Sequence, residues 1–116
     1  MVVSIILQVL LGLGFLMFGF QKFTSEDMKK GFDYFGYGDG FRVFTGFVEM
    51  SAAIIIIVGI WVKPLAVVGG IIIAVTMIGA LLTHVKIKDQ AKNMVMPFVL
   101  LLLGLTVGII NWFYVF

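Results

Sequence analysis

Residues 65–85 read LAVVGGIIIAVTMIGALLTHV, without one Asp, Glu, Lys or Arg. A bilayer core about 30 Å thick is crossed by roughly 20 helical residues rising about 1.5 Å each, so this stretch fits a single membrane span. The same measure, applied outward, marks residues 43–62 before it, residues 94–116 after it and residues 2–20 at the start. Residues 2–20 lack a basic leading segment and a small-residue cleavage site, so they read as a retained helix, not a signal peptide.

Composition agrees. Of 116 residues 62% are apolar and 12% charged, with a mean hydropathy of +1.20, too few polar side chains to coat a soluble or disordered chain. The expected fold is all-α: one integral membrane domain forming an antiparallel four-helix bundle. With no cysteine, disulfides, thiolate metal ligands and CxxC redox pairs are excluded. One histidine gives no metal site from this chain. A net charge of +2 with basic residues scattered through loops is no nucleic-acid footprint.

The joints differ. Val62, Lys63 and Pro64 leave room only for a tight hairpin, with proline tolerated at a helix start. Residues 21–42 form the one long connection; Thr24 and Asp27 read there as a capping box opening a short interfacial helix, ended by Gly36, Gly38 and Gly40. Phe32, Tyr34, Phe35 and Tyr37 suit the headgroup layer. Gly104 and Gly108 form a GxxxG in the last span; with Gly70 and Ala74 of the third they offer close helix packing within the bundle or, alternatively, a homodimer face.

A charge deep in a span costs about 2.5–3.5 kcal/mol, so each one present needs a partner or a cavity. Glu49 is the main case. Arg42 lies two turns before it on nearly the same face, with Thr45 between them, and Lys22 and His84 close spans one and three at the same depth. Glu49 is then either neutralised by Lys22 or Arg42 as a polar clasp, or part of a pocket with Thr83 and His84. Phe20, Phe23, Phe44 and Phe47 supply apolar walls for a flat ring. Gln8 and Asn111, near the other end, fit an interhelical amide hydrogen bond. No nucleophile with its base is present, so no catalytic residue is assigned.

Three segments, GFLMFGFQKF at 14–23, FTGFVEMSAAIIIIVGIW at 44–61 and AVTMIGALLTH at 74–84, resemble the DoxX family of small four-span bacterial membrane proteins. Lys22, Gly46, Glu49, Thr83 and His84 occupy the family-like positions. The resemblance implies a redox-associated membrane subunit, linked to quinones and oxidative stress, whose electron donor is a partner protein. On that reading the ligand is lipophilic and quinone-like, held near the cytoplasmic face by Lys22, Arg42, Thr45, Glu49, Thr83, His84, Phe47 and Phe23. The alternatives are a small proton-coupled exporter and a ligand-free assembly partner.

Basic residues orient the chain. The first and third connections hold Lys22, Lys29, Lys30, Arg42, Lys86, Lys88 and Lys92, against Lys63 alone on the opposite side. The positive-inside rule therefore puts those connections in the cytoplasm, and both termini outside an inner membrane. Trp61, Trp112 and Tyr114 then share the outer interface. A reporter fused after Phe116 should be found outside the cytoplasm; a cytoplasmic reporter contradicts this orientation.

Overall fold

A computed structural model describes residues 1–34, 36–86 and 91–115 of the chain. Phe35, Lys88 and Phe116 lie outside the described residues. Helix α1 (Val2–Thr24) runs without proline through the first apolar stretch. Its end is set by Ser25, whose backbone turns extended. The Thr24 hydroxyl donates back to the Phe20 carbonyl, and the Ser25 hydroxyl oxygen receives the Met28 N–H. The cap of the next helix, α2 (Glu26–Tyr34), is therefore Ser25 and not the expected Thr24: α1 continues through Thr24, which leaves that side chain on the wrong helix.

Gly36 closes α2 with φ +83°, a backbone region that favours glycine. Its N–H reaches the Asp33 carbonyl at 3.0 Å, and that of Tyr37 reaches Phe32 at 2.9 Å. This is a Schellman closure, and its usual apolar contact is present as the Phe32 and Tyr37 rings, 6.3 Å apart.

Helix α3 (Asp39–Val58) starts earlier than the charge-free stretch at residue 43, because Gly38 caps it and Asp39 suits the positive end of the helix dipole. It also stops earlier, before a turn at residues 59–62. A Cβ on Gly59 would lie 2.5 Å from Ala66 N, so the chain turns at the residue that permits close contact with the returning helix. Helix α4 (Lys63–Lys86) holds Pro64 in its first turn, where the missing N–H costs little. After a short 3₁₀ turn at Ala91–Met94, α5 (Val95–Val115) completes the chain.

Four of these helices, α1, α3, α4 and α5, are long and apolar enough to cross a membrane. They form a closed ring in which α1 packs on α3, α3 on α4, α4 on α5 and α5 back on α1; the α1–α3 and α4–α5 pairs are the most extensive. The shared core is Leu11, Phe15, Ala52, Ala53, Ile56, Ala66, Ile73, Met77 and Val107. Leu10, Leu13, Val75 and Phe113 are instead exposed outward, as lipid-facing residues are. No hydrophobic drive holds such helices together inside lipid, so close backbone approach and buried polar contacts must.

Both devices are present. At Gly70 of α4 a Cβ would sit 2.7 Å from the Gly104 carbonyl oxygen and 3.0 Å from Gly108 Cα, so the GxxxG surface of α5 packs against α4 within the chain. At the end near the termini, Asn111 donates to Ser4 Oγ at 2.8 Å, Ser4 to Gln8 Oε1 at 2.8 Å, and Gln8 to the Ile56 carbonyl at 3.0 Å. Gln8 and Asn111 are thus joined through Ser4 and not directly, and the relay ties α5 through α1 to α3. Lys63 lies 5.9 Å over the Tyr114 ring at this same end.

Gly70→Ala sets a methyl group against backbone that cannot move aside, and should destabilise the purified protein by about 1–3 kcal/mol. Gly14→Ala, where a Cβ would meet nothing within 4 Å, should leave the unfolding midpoint unchanged or slightly raised. Equal midpoints for the two variants would contradict the α4–α5 packing.

Candidate functional site

The site begins where α1 crosses α3. A Cβ on Gly19 would lie 2.9 Å from the Gly46 carbonyl oxygen, and one on Gly46 would lie 3.2 Å from both the Gly19 carbonyl oxygen and Lys22 Cβ. Two glycines therefore let the backbones touch. Because Cα–Cβ bonds tilt toward the helix N-terminus, Lys22 at the end of α1 leans into the membrane and Glu49 on antiparallel α3 leans outward to meet it. The result is a salt bridge of 2.9 Å, Lys22 Nζ to Glu49 Oε2, with the side chains only 10% and 5% exposed. Of the two cations that the sequence offered Glu49, Lys22 takes the place. Arg42 pairs with Asp39 at 3.4 Å one turn away, and its buried Nε has no hydrogen-bond partner among the described residues.

Aromatic residues roof this end of the bundle. Phe32 of α2, Tyr37 of the α2–α3 connection and Phe41 of α3 pack as a trio with ring centres 4.7–6.3 Å apart, and Lys22 Nζ stands 5.9 Å over the Phe32 ring. Tyr37 Oη and Thr83 Oγ1 are 3.0 Å apart, and Thr83 donates its single hydroxyl proton to the Gly79 carbonyl at 2.9 Å. Thr83 must then accept from Tyr37, so this hydrogen bond runs from the α2–α3 connection to the end of α4. Lys86 Nζ lies 5.6 Å over the Tyr37 ring.

Under the roof is a cavity of about 740 Å³, bounded by residues of α1 to α5. Lys22, Thr45, Glu49, Thr83 and His84 all line it, so five of the residues singled out in the sequence share one wall system. Its apolar surface comes from Phe15, Phe18, Met28, Val48, Val75 and Leu100, with Phe44 at one edge. Arg42, Phe23 and Phe47 are not among the lining residues. Phe23 and Phe47 instead pack edge to face, 4.9 Å between centroids, beside the Gly46 contact that brings Phe23 close. Tyr37, Phe32 and Met28 line the cavity although the sequence gave them no role there. A ring in a connecting segment has no helical period to report its direction; the glycine closure before Tyr37 was the available signal.

Chemically, the cavity combines apolar walls with a buried ammonium, a carboxylate, hydroxyls and an imidazole, the small set of convergent polar groups that fixes an otherwise apolar ligand. Among the described residues no three His, Asp or Glu side chains come together as a metal site.

Residues 6–107, from the first turns of α1 to most of α5, match the family model described as the DoxX-like family. No curated protein and no solved structure matches the chain. The matched range takes in the glycine crossing, the Lys22–Glu49 pair and the Thr83–His84 end of α4 alike, and the chain belongs to the DoxX-like family.

Proposed function

We propose that this protein is a redox-associated membrane subunit that holds a flat, lipophilic, quinone-like molecule between its helices, near the end that carries most of the basic residues. The observation that carries this reading is a single cavity of about 740 Å³ whose apolar surface surrounds Lys22, Glu49, Thr83 and His84. That volume lies within the range of roughly 300–1,000 Å³ typical of small-molecule sites.

The polar groups suit both redox states of such a ligand. The Lys22 ammonium has three N–H donors, of which Glu49 takes one; the others can serve a ring carbonyl oxygen. Glu49 can accept from the hydroxyl of a reduced ring. His84 belongs to the same wall. With no cysteine in the chain, electrons would come from a partner protein or a soluble reductant. An inner membrane with both termini outside completes the proposal, since it sets the basic end and its cavity at the cytoplasmic face.

Phe44→Trp puts a reporter on the cavity wall, while Trp61 and Trp112 belong to the far end of the bundle. Titration with short-chain naphthoquinone and benzoquinone analogues should quench this tryptophan saturably. Phe98→Trp, an exposed position on α5 outside the cavity, should show only the linear quenching of quinone dissolved in detergent or lipid. Joint replacement Lys22→Met with Glu49→Leu should abolish saturation at Phe44→Trp. Linear quenching at both tryptophans would sink the proposed site.

A further inference from the structure

Helices α3 and α4 touch closely at their hairpin end, where a Cβ on Gly69 would lie 3.0 Å from Ile56 Cβ. That antiparallel register continues through Ala52 and Ile73, both buried. Beyond them Val48, Thr45 and Phe41 of α3 and Met77, Ala80 and Thr83 of α4 all line the cavity. The two walls therefore flank a mouth between α3 and α4 in the half of the bundle away from the hairpin.

This mouth faces lipid. Phe44 and Val75, one on each side, are both 63% exposed, and a Cβ on Gly79 would meet nothing within 4 Å. It is also apolar. Thr45 and Thr76 commit their hydroxyls to the Phe41 and Ile72 carbonyls of their own helices, each at 2.8 Å. The charged pair stands on the inner α1–α3 side, and the Tyr37–Thr83 bond lies in the roof. Polarity thus falls from the back of the cavity to its opening on the bilayer. A two-ring head seated against Lys22 and Glu49 occupies only part of about 740 Å³, and the lining it leaves includes Phe44, Val75 and Gly79.

We infer that the mouth between Phe44 on α3 and Val75 and Gly79 on α4 holds a hydrocarbon tail, so the ligand class is a ring bearing a long isoprenoid or alkyl chain that stays in the bilayer. The inference rests on the ring site proposed above. Continuity of the mouth with that site selects the occupant: a tail attached to the bound ring is already at the opening, and a ring dissolved in the membrane can reach its polar groups sideways through the same gap.

The test compares a tail-less 1,4-naphthoquinone with the same ring carrying two isoprene units, each titrated against the thermal midpoint of purified protein. The unsubstituted chain should bind the tailed form at least about tenfold more tightly, because several buried methylenes add to the contact. Gly79→Phe, and independently Val75→Trp, should abolish that advantage, weakening the tailed form far more than the tail-less one. Gly14→Phe, at a comparably open glycine outside the cavity, should alter neither ligand. Equal affinities for the two forms in the unsubstituted chain, or equal weakening of both by Gly79→Phe and Val75→Trp, overturns the tail assignment while leaving the ring site standing. No shift of the midpoint with either ligand overturns the ring site and the tail assignment together.

Discussion

A lysine and a glutamate meeting inside a membrane bundle are the constraint around which this protein is arranged. Each charge alone would cost about 2.5–3.5 kcal/mol to insert; together, 2.9 Å apart and almost fully enclosed, they compensate each other. The meeting has geometric conditions. Gly19 and Gly46 must bring the α1 and α3 backbones into contact, and the helices must run antiparallel so that both side chains lean toward the same level. The α1–α3 pair accordingly ranks with α4–α5 among the most extensive packings in the ring. The same contact that holds the two helices also fixes an ammonium and a carboxylate at the cavity wall.

The two ends of the bundle solve the same problem differently. Near the termini the buried polar groups are neutral, and Ser4, Gln8, Asn111 and the Ile56 carbonyl form a relay. There the α3–α4 hairpin closes tightly, with Gly59 against Ala66. At the other end the polar groups are charged, the helices leave a cavity, and a short helix with three packed aromatics covers it. One end is closed, and the other surrounds a cavity.

Much of this is legible in the sequence. Span length and the scarcity of charge specify four helices, and the few charges left inside point to Glu49 and its partners, because lipid makes each of them costly. The gathering of Lys22, Glu49, Thr83 and His84 follows from their depth in an antiparallel arrangement. Other features depend on direction and not on spacing. Whether Lys22 or Arg42 reaches Glu49 turns on which helix contact is closer, and two glycines decide it. Phe23 and Phe47 pack on each other instead of lining the cavity, because a phenylalanine beside a glycine crossing has more than one apolar neighbour to choose from. Tyr37 at the cavity and Ser4 in the relay escape the spacing for related reasons. The first is aimed by a Schellman turn, and the second acts only as the link between two amides whose own positions had already suggested a contact. Thr24 and Ser25 are both suitable caps in sequence, and only the continuation of α1 through Thr24 sets the cap at Ser25.

The most direct measurement is a double-mutant cycle on Lys22 and Glu49, read as the free energy of unfolding of the purified protein. Lys22→Met and Glu49→Leu made singly each strand a buried charge and should cost about 3–5 kcal/mol, whereas the two together should cost much less than either. Single losses that simply add in the joint variant would mean that the two side chains act independently, and that the pair neither holds α1 to α3 nor frames the cavity.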